Sequence, residues 1–324
     1  MKKLFFLILV TGLMFFGLSF SLVLAYQIED LTDVPVANDF VLGVGKIELW
    51  LDPGEKYTRE LYITNRIGET MDFKVEIEDF KGSRDPKEAV ILLGEEKGPY
   101  SLKDYLTPEI TEFTLSHGQR MILPVEISIP PDAEPGGLYG SILVSAHPIL
   151  TPAEVEELKA KGQIKLVSRL SSLFFIRVKG EAKEDGLLKD FKIEKKYYEK
   201  GPIPFQILFE NNGNVHLAPY GVIEIYNILG KKVDEIELDT WFALPDSLRL
   251  REVKWERGLL FGKYTALTSI NRGYQDIIDQ KAVEFWVIPW KIILAGILAI
   301  GLIVWFLIWI AGHFEIRKKS PMAP

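Results

Sequence analysis

Apolar and polar residues alternate with a period of two over much of this chain. Lys46–Leu51 sets Ile47, Leu49 and Leu51 on one face. Lys56–Thr64 sets Tyr57, Arg59, Leu61 and Ile63 opposite Thr58, Glu60, Tyr62 and Thr64. Met71–Phe80 sets Phe73, Val75 and Ile77 against Asp72, Lys74, Glu76 and Glu78. Such alternation marks strands with one buried face. The turns between them have their own chemistry. In Asp52-Pro53-Gly54-Glu55 the proline presets φ and the glycine accepts a positive φ. Further strands are predicted at Glu112–Leu115, Gln119–Ile129, Leu138–Ala146 and, as one long β run, Gln163–Lys179. Two stretches interrupt them. Lys81–Thr107 is rich in glycine, proline and charge and reads as a long insertion loop. Thr151-Pro152-Ala153-Glu154 forms a capping box that opens a short helix over residues 152–161, closed by Gly162.

The alternation resumes after a polar linker, Glu181–Gly186. Leu188–Lys195, Pro204–Glu210, Val222–Tyr226, Lys232–Leu238, Leu248–Glu256, Lys263–Ile270 and Lys281–Trp286 follow. That makes about seven strands, the number expected of an immunoglobulin-like sandwich. The predicted fold is therefore all-β: two tandem Ig-like β-sandwiches, residues 40–180 and 187–287, behind an extended leader over 26–39. Each module opens with a strand, a turn and a second strand that ends in asparagine, Asn65 and Asn211. This points to similar folds.

Both ends of the chain depart from alternation. Ile292–Ala311 carries no charge and no proline. As a helix it is ~30 Å long, the thickness of a bilayer's hydrocarbon core. Trp286 and Trp290 mark one edge, and Trp305 and Trp309 lie toward the other, where indole rings favour the interface. A C-terminal transmembrane helix is predicted over 288–312. The tail 313–324 contains Arg317, Lys318 and Lys319. Positive charge beside a span stays in the cytoplasm, which places both modules outside a single-pass cell-membrane protein. Met1–Ala25 has Lys2 and Lys3, an apolar run and Val23-Leu24-Ala25, the three-part pattern of a secretory signal. Cleavage is expected after Ala25; an uncleaved anchor would give the same topology.

Composition narrows the chemistry. Among 324 residues, 45 Asp and Glu outweigh 38 Lys and Arg, for a formal net charge of −7. An acidic exterior argues against nucleic acid or anionic lipid as the main partner. There are no cysteines, hence no disulfide or thiolate metal site. His117, His147, His216 and His313 never recur at helical spacing, and there is no His-Glu-x-x-His. No Gly-x-Ser-x-Gly elbow occurs, and Gly43-Val44-Gly45 lacks the third glycine of a nucleotide loop. The expectation is a non-enzyme with no cofactor and no metal.

Two segments resemble a known family. KIELWLDPGEKYTRELYITN (Lys46–Asn65) resembles the opening of membrane-anchored surface proteins of the WxL-interacting type. ISIPPDAEPGGLYGSILVS (Ile127–Ser145) resembles the segment that closes their first domain. The order of signal, two Ig-like domains, one span and a short basic tail is similar as well. The resemblance implies a peptidoglycan-binding first domain and a second domain that contacts a host or another protein. Ile207–Ile225 departs from the family's usual second domain, and no ligand residue of the family maps onto this chain.

Binding on a rigid sandwich is usually carried by irregular segments. Tyr100 and Tyr105 in the insertion, and Trp241 and Phe242 between two strands of the second module, are the candidate contacts. An aromatic ring with a polar tip suits a sugar face or a peptide. The structural alternative for the tyrosines is cover for a sheet edge, and for Trp241 and Phe242 it is core packing. The leading functional reading is adhesion or anchoring: the sandwiches bind cell-wall polymer or another surface protein, with the lipid bilayer engaged through Ile292 to Ala311. The alternatives are a non-catalytic scaffold or stalk that positions a protein partner at the membrane, and a surface hydrolase.

Overall fold

The computed structural model describes residues 26–151, 167–258 and 260–313. The predicted signal 1–25, the capped helix 152–161 and the tail beyond His313 lie outside the described residues. The chain is all-β: two tandem Ig-like sandwiches followed by one C-terminal helix. Its contacts divide it into two units. One is Met1–Lys81 with Leu92–Glu181, and the other is Gly82–Ile91 with Ala182–Pro324.

The first sandwich is built from β1 (Gln27–Asp30), β2 (Phe40–Gly43), β3 (Lys46–Leu51), β4 (Lys56–Asn65), β5 (Met71–Lys81), β6 (Ile91–Leu92), β7 (Leu106–Pro108), β8 (Glu112–Leu115), β9 (Gln119–Ser128), β10 (Gly136–Pro148) and β11 (Ser168–Val178). One sheet runs β1-β9-β4-β2, with β7 also on β9. The other runs β3-β11-β10-β5-β6, with β8 also on β5. Alternation places the core between them. Leu61, Ile63, Phe73, Leu123, Val125, Phe174 and Ile176 are all buried. The inward face expected for Lys56–Thr64 holds only in its second half, because Tyr57 and Arg59 are exposed. Long amphipathic side chains at the mouth of a sandwich keep their polar ends in water. The extended leader contributes β1, a fully exposed edge strand on β9. Between β2 and β3 the chain changes sheets at Val44, whose φ is 64°. A β-branched residue adopts that conformation at a cost, and here Ser172 Oγ donates to its carbonyl at 2.5 Å.

The second sandwich is built from β12 (Gly186–Ile193), β13 (Tyr197–Tyr198), β14 (Ile203–Asn211), β15 (Tyr220–Asn227), β16 (Lys232–Leu238), β17 (Ser247–Trp255), β18 (Gly262–Asn271) and β19 (Ile278–Val287). Its sheets run β12-β14-β17 and β13-β19-β18-β15-β16. Phe205, Ile207, Phe209, Ile223, Ile225 and Phe285 fill the space between them. In both units the last strand takes a parallel neighbour from near the module's start: β11 lies beside β3, and β19 beside β13.

Asn65 and Asn211 are fully buried and make the same bonds. Asn65 Nδ2 donates to the carbonyls of Glu69 and Leu115, both at 2.8 Å, and Oδ1 accepts from Ile67 N at 2.9 Å. Asn211 Nδ2 donates to the carbonyls of Val215 at 2.8 Å and Ala243 at 2.9 Å, and Oδ1 accepts from Gly213 N at 2.9 Å. One side chain thus satisfies three backbone groups at the same corner of each module.

The chain ends in α1 (Trp290–His313). No residue of its stretch Trp290–Ile310 is buried.

Asp279 on β19 fastens the two sheets of the second sandwich. It accepts from Leu188 N on β12 at 2.7 Å and from the Arg272 guanidinium at 2.9 and 2.7 Å. Burial pushes its carboxyl up, but the Arg272 hydrogen bonds, the Leu188 N–H and the charges of Arg272 and Lys281 together outweigh burial and hold it below the usual carboxylate value. A folded pKa below the unfolded one stabilises the fold above the unfolded value, about 3.9, and that stabilisation is lost as pH falls through the folded value. Thermal melts at a series of pH values should therefore show the second module weakening below about pH 4. Asp279→Asn should lower Tm at neutral pH and flatten that acid limb. An acid limb unchanged in the variant would contradict this role.

Candidate functional site

The insertion is organised by one residue the alternation pattern does not single out. Asp79, near the end of β5, is fully buried. Its carboxylate accepts from the backbone N–H groups of Gly98 at 3.0 Å, Leu102 at 3.0 Å and Lys103 at 2.9 Å. Its carbonyl accepts from Leu93 N at 3.0 Å. Four bonds from one residue therefore shape residues 93–103. Gly140 on β10 makes room for this loop: a Cβ there would lie 3.1 Å from Leu102 Cβ and 3.2 Å from Leu106 Cδ1.

Tyr100 and Tyr105 are both half-buried. The Tyr100 carbonyl accepts from Tyr139 N at 2.8 Å, and the two rings meet edge-on at 6.1 Å. Tyr139 in turn packs against Phe80 and Phe175 at 5.8 and 5.7 Å. Tyr105 packs against the first core. The two tyrosines thus hold the insertion to its sandwich.

Trp241 and Phe242 belong to the other unit and are also half-buried. Trp241 meets Phe209 edge-on at 6.4 Å. The Arg251 guanidinium lies 4.7 Å over Trp241, and that of Arg249 lies 5.7 Å over Phe242. Register explains the stacks. Arg249 stands opposite Phe209 and Arg251 opposite Ile207, so both arginines point to the core side of β17. Burial pushes both below the ordinary arginine value, and the Arg251 charge pushes Arg249 further. Inward charges on an edge strand guard it against unwanted pairing. Leu248 N and Leu250 N also donate to the Ser83 and Pro86 carbonyls at 2.9 and 3.2 Å, so residues 82–91 lie along that edge.

A further concave surface of the first unit lies elsewhere. A cleft of about 470 Å³ is lined by Asp72, Phe73, Lys74, Glu112, Phe113, Thr114 and His147. Pairing of β5 with the short strand β8 builds it, through Asp72 opposite Thr114 and Phe73 opposite Phe113. The two phenyl rings stack at 5.5 Å. Thr114 Oγ1 donates to Asp72 Oδ1 at 2.6 Å, and the His147 ring lies 2.9 Å from Ser145 Oγ. An aromatic floor with a rim of both charges can accept a peptide or a sugar. His147 carries little signal in the sequence because its neighbours across the cleft are remote in the chain. A smaller cleft of about 360 Å³ runs along Phe191–Lys196 in the second unit. Among the described residues no group of three or more His, Asp or Glu could hold a metal ion.

Of the residues read as a membrane boundary, Trp286 belongs to β19, opposite Lys263 of β18 and Tyr197 of β13. Trp290 opens α1, and Trp305 and Trp309 lie within it. Arg317, Lys318 and Lys319 lie outside the described residues.

No family model and no curated protein matches this chain. Among solved structures it is similar to the class 5 fimbriae chaperone CfaA, with 12% identity and a TM-score of 0.36 over 78% of this chain and all of that one. It is similar to the E. coli chaperone DraB, with 13% identity and a TM-score of 0.32 over 76% of this chain and 98% of that one. A family 123 glycoside hydrolase from Clostridium perfringens matches 44% of this chain and 27% of its own, at 10% identity and a TM-score of 0.29. Scores of this size assign no function, and the fold stands on the strand pairing described above.

Asp79→Ala would strand three backbone donors. It should destabilise the first module by on the order of 3 kcal/mol and make residues 93–103 the first site of limited proteolysis. A variant with wild-type protease resistance in that loop would contradict the role given to Asp79.

Proposed function

We propose that this is a single-pass membrane protein whose two extracytoplasmic β-sandwiches form a non-catalytic binding scaffold. One observation carries the reading: an apolar helix with no buried residue follows the last strand of a sandwich after only Ile288 and Pro289. In this reading the bilayer takes Ile292 to Ala311, Trp290, Trp305 and Trp309 lie toward its two faces, and Arg317, Lys318 and Lys319 stay in the cytoplasm. The partner is a second surface protein. What favours it is the mixed-charge cleft beside β8, which among the described strands pairs only with β5. Such an edge offers backbone groups to an extended segment, and the cleft offers side-chain pockets. Tyr100, Tyr105, Trp241 and Phe242 add only the ring edges that their packing leaves at the surface.

A second reading is a wall polymer bound by the first sandwich. The likeness of Lys46–Asn65 and Ile127–Ser145 to WxL-interacting proteins favours it.

The test uses the full chain in detergent. It is passed over purified wall polymer and, separately, crosslinked in intact cells. A stoichiometric crosslinked protein is the expected result, with Phe113→Ala weakening capture at least about tenfold. Retention on polymer without a protein partner would favour the second reading. Failure of both would overturn the binding role.

A further inference from the structure

We propose that the end of the second sandwich from which α1 leaves is itself a lipid-contact surface, seated in the bilayer's interfacial layer by Tyr197, Ile228, Leu229 and Phe261. This rests on the reading of α1 as a membrane span.

Strand register puts these residues at one end. Val287, the last residue of β19, stands opposite Gly262, the first of β18. Phe285 stands opposite Tyr264, which stands opposite Asn227 at the end of β15. Tyr197 stands opposite Trp286. The β15–β16 turn, the approach to β18, and β13 therefore all reach the end of the sheet where α1 begins.

At that end the apolar side chains are bare. Leu229 is 86% exposed, Phe261 71%, Tyr197 67% and Ile228 66%. A soluble module would bury or omit such residues, since contiguous exposed apolar surface marks a contact site. Ile228 and Leu229 are also held in place. Asn227 Oδ1 accepts from Leu229 N and Lys231 N, both at 3.0 Å, and Gly230 N donates to the Asn227 carbonyl at 2.9 Å. Gly230 supplies the positive φ, 71°, that this turn requires. The two side chains are thus presented on a fixed tip.

The base of the helix is tied to the same end. Trp286 N donates to the Lys196 carbonyl at 2.9 Å, and Ile288 N donates to the Tyr198 carbonyl at 2.8 Å. Lys291 Nζ pairs with Glu199 at 2.9 Å. Ile288 and Pro289 together reach at most ~7 Å. The headgroup layer on each face of a bilayer is ~5–7 Å deep. Once α1 enters the hydrocarbon, the module's end has nowhere to sit but in that layer. In sequence, Lys195, Lys196 and Lys200 flank Tyr197 and Lys231 follows Leu229, with Glu194 and Glu199 partly offsetting their charge. Apolar insertion therefore dominates charge, and zwitterionic lipid should suffice.

Because the chain has no cysteine, single probes can be placed at will. Leu229→Cys, Phe261→Cys, Ile300→Cys in mid-helix and Thr240→Cys at the opposite end of the sheet are spin-labelled in the full chain. Each is reconstituted in phosphatidylcholine nanodiscs, and collision rates with oxygen and with a water-soluble nickel chelate are compared. The labels at Leu229 and Phe261 should be at least about threefold less accessible to the chelate than the label at Thr240, with an oxygen-to-nickel ratio between Thr240 and Ile300. Chelate access at Leu229 and Phe261 equal to that at Thr240, with Ile300 in hydrocarbon, would overturn this inference alone. Chelate access at Ile300 would overturn the span and this inference with it. Dipolar broadening between copies at Leu229 would assign the patch to a second copy of the chain and also overturn it.

Discussion

The governing constraint is the need of α1 for an apolar medium. Between Lys291 and His313 the helix is apolar on every side, and no residue of Trp290–Ile310 is buried. Each large apolar side chain left in water forgoes about 1.5–3 kcal/mol. Over five helical turns that deficit exceeds the net stability of an ordinary domain. A helix also satisfies its own backbone, which is what a hydrocarbon environment demands. On the proposed reading, a bilayer meets both requirements. In the proposed span, the hydrogen bonds from Trp286 N to the Lys196 carbonyl and from Ile288 N to the Tyr198 carbonyl would pass the helix's placement on to the whole second sandwich.

The two sandwiches solve the same problem with the same devices. Each closes its last strand against a parallel strand from its beginning, and each folds a buried asparagine into a corner where three backbone groups would otherwise lack partners. They differ in how edges are managed. The first covers β9 with β1 from the leader and β7 from the insertion. The second points Arg249 and Arg251 inward beneath aromatic rings, and it lines β16 with Lys232, Asp234, Glu235 and Glu237.

Much of this fold was legible in the sequence because local periodicity decides it. Lys46–Leu51, Glu112–Leu115 and Lys232–Leu238 are strands with the bounds that alternation predicts. The shared asparagine corner was visible as a repeated strand-turn-strand ending. What escaped depends on pairing remote in sequence. The two-residue strand Tyr197–Tyr198 has no periodicity to show, and it exists because Trp286 and Val287 lie beside it. Trp286 reads both as the end of a strand and as a membrane edge, and register adds that it lies beside Tyr197. Asp79 falls in phase with Phe73, Val75 and Ile77 on the inward face, and only the loop that folds back over it reveals the three donors that let a carboxylate sit there. The candidate site was the least legible part. Exposure could not be judged for Tyr100, Tyr105, Trp241 or Phe242 without their packing partners, and the cleft at Phe113 and His147 joins segments far apart in the chain.

The most direct measurement is flotation. The chain without residues 1–25 is mixed with phosphatidylcholine, washed with alkaline carbonate and centrifuged on a density gradient. The account predicts that the protein rises with the vesicles and resists the wash. Protein recovered at the bottom of the gradient, or released by carbonate, would contradict it.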